Sequence, residues 1–377
     1  MPSSATVRRA IAAVVGRRSA YRPAPMWFRA HRVYVALAVL TLGVGAYGLP
    51  PALIVQDRAL TGSLPKGVSI SPDGATLYVT NYGNTNGDNV GVYDVATLRR
   101  TAWIYLPGVA VESAVSPDGR RLYVSDFRDA TVHFIRLRDR RTLRSVAVGR
   151  HPKVLALTHD GARLFAANWS GRSVSEVDTA TGAVVRTHAA GHSPRGLAVA
   201  RDGTLYVANF HSDSLDVFAG PERAERRRVE GVCHVPRHLA LSPDERRLYV
   251  SCLGDDALLV LDAHSLALER RVPVGDAPKA VDVSADGRVV ATADYGGSTV
   301  TLVDTDDWTT RSVELPTMDH ASGIVAARAG HRFFVTGWYD NHVYAVGADA
   351  GRRFVASERE RVRVAAQRIF HARSPVE

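Results

Sequence analysis

The chain has 377 residues, 46% apolar and 23% charged, the balance of a globular protein rather than a disordered or fibrous one. Its net charge is +9, but residues 1–56 hold seven arginines and no acid, and residues 352–377 hold seven arginines against three glutamates, leaving 57–351 at −2. A nucleic-acid reader draws its affinity from cations on the folded body, so this distribution excludes nucleic acid as the partner.

Residues 1–32 form a basic segment with arginines at 8, 9, 17, 18, 22, 29 and 32. From Val33 to Gln56 there is no charge, and Val33–Gly48 is dense in Val, Leu and Ala. Such a run is long enough to cross a hydrocarbon core roughly 30 Å thick. We expect one N-terminal transmembrane helix over 33–55, with the basic segment in the cytoplasm and the rest of the chain outside it. A cleaved signal peptide, cut near Ala46-Tyr47-Gly48, is the alternative. Against it stand a long arginine-rich lead and Pro50-Pro51 beside the cut.

After the apolar segment one phrase recurs: Leu77-Tyr78-Val79-Thr80-Asn81, Leu122–Asp126, Leu164–Asn168, Leu205–Asn209, Leu248–Cys252, Val290–Asp294 and Phe333–Gly337. Its last residues are 45, 42, 41, 43, 42 and 43 apart, a period that marks seven structural repeats. Each repeat is written as strands. A run such as Val68-Ser69-Ile70 leads through Ser71-Pro72-Asp73-Gly74 into the phrase, and Asp-Gly between alternating runs is a hairpin turn. The turn recurs at Asp118, Asp160, Asp202 and Asp286, with Asp244-Glu245 departing from it. A third strand ends in Asp94, Asp178, Asp262 or Asp304, residues that turn the chain by accepting nearby N–H groups. A fourth, basic strand such as Arg270-Arg271-Val272 completes the unit. Four antiparallel strands repeated radially make an all-β, seven-bladed β-propeller over 56–357, followed by a basic tail at 358–377. Either Leu53–Leu64 or Gly351–Val355 supplies the outer strand of the last blade.

These phrases, the Asp-Gly turns and the Gly-x-x-Pro link into each blade resemble the YVTN-repeat β-propeller family over roughly 65–351. The resemblance implies the fold. It extends to surface proteins, propeller lactonases and modules of redox proteins, so function has to come from the site.

Positions constant across blades serve the fold, and positions that vary are free for function. The link into each inner strand varies around its middle residue: Lys66, Glu112, Lys153, Arg195, Arg237, Lys279 and Ser322. These links gather at one mouth of the channel, giving a basic ring with one carboxylate, suited to an anionic small molecule or an acidic protein segment. His151, His192, His234, His238 and His320 cluster at the same links. His192, His234, Asp276 and Asp319 occupy one position in four successive blades and are ligand types for a divalent transition metal. Cys233 and Cys252 stand at neighbouring hairpin ends, where an oxidising compartment would join them.

Two classes follow: a membrane-anchored binding or interaction scaffold, or a lactonase-like or metal-dependent hydrolase or redox module. The second would draw its base from Glu112, His192, His234 or His238, with Arg195 and Arg237 holding the anion. The sequence has no Gly-x-Ser-x-Gly, no His-Glu-x-x-His and no Cys-x-x-Cys-His.

Overall fold

The computed structural model describes residues 54–347 apart from Pro316. The basic segment 1–32, the proposed anchor up to residue 53, the candidate cleavage site, Gly351–Val355 and the tail 358–377 lie outside the described residues. Among those described, no helix is long and apolar enough to cross a membrane.

The described chain forms 28 strands in seven four-stranded antiparallel sheets. The seven inner strands are Pro65–Ile70, Ala110–Val115, Pro152–Leu157, Pro194–Val199, Pro236–Leu241, Pro278–Val283 and Ala321–Ala326. Each packs against the inner strand of the next blade, and the seventh packs against the first. The ring therefore closes, and the inner strands surround one channel. Of the two closures the sequence allowed, the N-terminal one is made: Ile54–Leu60 pairs with His342–Gly347 as the outer strand of the seventh blade. Ile54 and Val55, counted with the apolar segment in the sequence, already belong to this strand.

The turns take the form the residues dictate. Asp73 Oδ1 accepts Ala75 N at 2.9 Å and Gly74 takes φ 72°, a left-handed conformation that glycine reaches without a Cβ penalty. In the fifth blade Glu245 occupies that place at φ 58°. Asp94, Asp178 and Asp262 accept the N–H three residues on, at 2.7–2.9 Å. The aromatic of six of the seven phrases packs between blades: Tyr78, Tyr123, Phe165, Tyr206, Tyr249 and Phe334 are all 0–6% exposed, and the sixth phrase holds Ala291 there. Each such side chain contributes roughly 1.5–3 kcal/mol by leaving water.

One size-matched pair fastens the link before a blade to that blade's phrase. Asn81, Asp126 and Asn209 each accept a link N–H, from Gly62, Val109 and Gly191, at 3.0 Å. A Cβ on Gly149, Gly191 or Gly275 would come 2.4–2.6 Å from the facing Asn168, Asn209 or Asp294. In the fifth blade the glycine is Cys233, the phrase ends in Cys252, and the two form a disulfide with Cα atoms 6.0 Å apart. In the seventh the sizes are exchanged: Met318 holds the link, the phrase ends in Gly337, and Asp340 lies over that glycine.

Closing a 19-residue separation, the disulfide stabilises the fold by about 3 kcal/mol. Cys233→Ser/Cys252→Ser is expected to lower denaturant-measured stability by that order. Cys233→Gly/Cys252→Asn, which rebuilds the hydrogen-bonded pair, recovers part of the loss.

Burial pushes the Asp340 carboxyl up to about 7; Tyr344 donates to Oδ2, and Oδ1 has no hydrogen-bond partner among the described residues. The unfolded Asp ionises near 3.9, so the folded state binds the extra proton between about pH 4 and pH 7. This group's contribution therefore falls as pH rises through that window. Asp340→Asn should flatten the slope and raise stability at pH 8 by on the order of 2–4 kcal/mol.

Candidate functional site

The second residue of each inner strand faces the channel mouth. Strand register puts Pro65 opposite Asn81 and Ala110 opposite Asp126, so the residue equivalent to Lys66 in the second blade is Val111, not Glu112. Hydroxyls of the preceding blade's phrase confirm the equivalence. Thr336 donates to the Lys66 carbonyl at 2.9 Å, Thr80 to that of Val111 at 2.7 Å, and Ser125 to that of Lys153 at 2.7 Å. The sequence frame slipped because the second link is one residue shorter, running Gly108-Val109-Ala110 where the first, third, fourth and sixth read Gly-x-x-Pro. The ring is thus Lys66, Val111, Lys153, Arg195, Arg237, Lys279 and Ser322. Glu112 stands one residue deeper, and its carboxylate fills the space over Gly67, where an added Cβ would meet Oε2 at 2.2 Å.

Lys66, Arg195, Arg237, Lys279 and Glu112 close around a cavity of about 310 Å³, also lined by His238, Asp282 and Ser322. Lys153 stands beside this cavity, close enough for Arg195, Lys66, Arg237 and Glu112 to act on its amine. Lys66, Arg195 and Arg237 are 5–8% exposed, and Lys153 and Lys279 are half-buried. Among the described residues none of the five has a carboxylate oxygen within 4.0 Å. Asp282 offers them little, since its oxygens accept Val283 N and Ala326 N and burial raises its pKa. Burial, then the neighbouring guanidiniums, push Lys153 down to about 5 and Lys66 and Lys279 well below the usual lysine range. Burial lowers Arg195 to about 10 and, with Arg195 beside it, lowers Arg237 as well. Glu112 opposes the shift at all five, which marks it as the shared counter-charge. Burial takes His238 down to about 4, leaving it neutral at pH 7, with Nδ1 3.1 Å from the Val281 carbonyl.

Above the ring sits a collar that the sequence reading did not single out. The residue after each phrase is Tyr82, Phe127, Trp169, Phe210, Leu253, Tyr295 or Trp338, six aromatics in seven blades. Each donates its N–H to the carbonyl just before that blade's inner strand, at 2.9–3.2 Å. The cations lie against these rings: Lys153 Nζ is 3.7 Å from the Trp169 centroid, Arg195 5.1 Å from the same ring, and Lys279 4.1 Å from Tyr295 and 4.7 Å from Trp338. Tyr82 bridges Trp338 and Phe127 at 5.6 and 6.1 Å. The signal was present one residue beyond the quoted phrase.

The proposed metal residues stay apart. No three of His192, His234, Asp276 and Asp319 bring ligand atoms within 4.8 Å of one another. His234 pairs with Asp213 at 3.3 Å, Asp319 with His320 at 2.5 Å, and Asp276 lies over Gly296. The one such group among the described residues, Cys233, Cys252 and Asp255, has both sulfurs in the disulfide.

Blade two also reproduces the order of an acyl-transfer triad. Ser145 Oγ is 2.8 Å from His133 Nδ1, and His133 Nε2 is 3.3 Å from Asp126. The same three positions hold Asp294, Thr301 and Ser312 in blade six, and Asn209, Asp216 and Arg228 in blade four, all hydrogen-bonded. A network present in blades without a histidine base fastens strands, and that is how we read it in blade two.

No protein-family model matches the chain, and no curated protein matches it. The YVTN resemblance therefore rests on the repeat phrases. Among solved structures the chain is similar to a chain of Kuenenia stuttgartiensis hydrazine synthase, with 18% identity and a TM-score of 0.67, covering 81% of this chain and 98% of that one. It is also similar to the β-propeller domain of Cps50 (Swd1) from Myceliophteria thermophila, with 16% identity and a TM-score of 0.66, covering 78% and 99%. At such identities the likeness shows the propeller fold alone.

The site's electrostatics give a signed expectation. Unfolded Lys153 holds its proton to about pH 10 and folded Lys153 releases it near 5, so its cost to folding grows as pH falls across that window. Lys153→Met should stabilise the protein at pH 6, by on the order of 1–3 kcal/mol, and less at pH 9. Thermal melts at the two pH values measure the difference.

Proposed function

We propose that the chain is a membrane-anchored, extracytoplasmic binding propeller whose channel mouth takes a small anionic ligand. One observation carries the reading: four cations from four blades line a cavity with Glu112, Lys153 stands beside them, and among the described residues none of the five has a carboxylate oxygen within 4.0 Å. Buried like charges without counter-charges cost free energy, which a bound anion offsets through charge-assisted hydrogen bonds. The propeller fold is consistent with a binding or interaction scaffold. A cavity near 310 Å³ is at the small end of small-molecule sites and favours a compact anion over a protein segment. The uncharged run after the N-terminal arginines supports the anchor, and the disulfide fits an oxidising compartment.

Titration of the full-length protein with citrate, followed by calorimetry, tests the ligand class. Saturable binding is expected, tighter at pH 6 than at pH 9 because the anion draws protons onto the lysines. Arg195→Gln/Arg237→Gln should weaken it by about 10–100-fold. Binding that is absent, or unchanged in that variant, contradicts the reading. For the placement, protease added to intact cells should degrade the propeller, while a protected propeller contradicts it.

A further inference from the structure

The chain carries 47 lysines and arginines, of which three are lysines: Lys66, Lys153 and Lys279. All three stand on the channel ring; every other cation of this kind is arginine. Arginine matches or exceeds lysine as a fixed positive charge and as a fork for carboxylates. What it cannot supply is a neutral amine, because a guanidinium does not give up its proton in the working range, whereas a buried ammonium crowded by like charge does. Lysine confined to the one place where cations crowd is therefore lysine used for its amine.

The geometry pairs that amine with an anion site. Lys153 and Arg195 come from adjacent blades and share the Trp169 ring, at 3.7 and 5.1 Å from its centroid. Among the described residues, the Arg195 guanidinium has no hydrogen-bond acceptor; its neighbour Arg237 is held by the Lys279 carbonyl at 3.0 Å. Arg195 is thus the open fork, and Lys153 is the half-exposed amine beside it. The charged or titratable groups lining the cavity beside Lys153 are Lys66, Glu112, Arg195, Arg237, His238, Lys279 and Asp282, and of these Arg195, Lys66, Arg237 and Glu112 act on the Lys153 amine.

We propose that Lys153 captures an anionic carbonyl compound of the 2-oxo acid class as an imine, with Arg195 holding its carboxylate. The amine lone pair attacks the carbonyl carbon, a C–N bond forms, and the C=O π pair moves to oxygen, which takes a proton. The carbinolamine then loses that oxygen as water while nitrogen gives up a proton, so amine plus carbonyl yields imine plus water. Glu112, which lines the adjoining cavity and acts on the Lys153 amine, is the carboxylate able to relay these protons. This rests on the anion-binding reading and adds a covalent step to it.

The absence of other lysines makes the test clean. Full-length protein is incubated with pyruvate and sodium cyanoborohydride, then analysed by intact mass and peptide mapping, with parallel samples containing acetone or excess citrate. Expected is one reduced adduct per chain on Lys153, blocked by citrate, not formed with acetone, and at least about tenfold lower in Lys153→Arg. Arg195→Gln, which keeps the amine, should lower the yield while leaving Lys153 open to a neutral acylating reagent. Citrate binding without any pyruvate adduct overturns the imine and leaves the anion site standing. Loss of both removes the two readings together. Adducts spread over all three lysines and the N-terminus, and unaffected by citrate, also overturn the proposal.

Discussion

Radial symmetry forces side chains at one strand position into a common space. Seven inner strands face one channel, so a residue that would be a solvated surface cation on an isolated sheet meets its counterparts from the other blades. Five of those counterparts here are cationic, and Glu112 is the carboxylate they share. Coulomb repulsion and lost hydration act together on the group, and both weaken if an anion enters or if an amine releases its proton. Arginine takes the first route alone, whereas lysine takes either. The depressed lysine pKa values, the lack of carboxylate partners and the aromatic rings packed on the cations are consequences of that confinement.

The frame that imposes this confinement is fixed locally. Each link is tied to its own blade through the collar residue's N–H, and in the first, second, fourth and fifth blades also through the pair at the phrase end. The pair changes chemistry from blade to blade while conserving volume: glycine with Asn or Asp, cysteine with cysteine, methionine with glycine. Packing density leaves no room for both members to be large, which is why the substitutions are coordinated. The aromatic collar is held over the ring by the same bonds. The frame can therefore vary its fastening without moving the mouth.

The fold was legible because the repeat is long and its turns have a mechanism. Seven copies of one phrase leave few architectures, and Asp-Gly at five of the seven hairpins fixes strand order. Ring closure was not legible, since two terminal segments read equally well as outer strands and only pairing to His342–Gly347 decides between them. Most of the basic ring was found by comparing blades. Glu112 was assigned to the ring because its link is one residue short, and a one-residue slip in a strand exchanges the face a side chain occupies. The histidine and aspartate arc shows the opposite limit. Equivalent positions in successive blades lie along a rim, but His234 pairs with Asp213 and Asp319 with His320, and no three of the four bring ligand atoms together.

The account's central claim is that the ring lysines are confined and share charge with a bound anion. Nitrogen-15 labelling of lysine side chains gives signals from Lys66, Lys153 and Lys279 alone, so each amine can be titrated by NMR in the free protein and with citrate. The account predicts that all three titrate well below the free-lysine range, with Lys153 near 5, and move upward when citrate binds. Three amines titrating near pH 10.4 and indifferent to citrate would mean that they are solvated, and would contradict the account at its base.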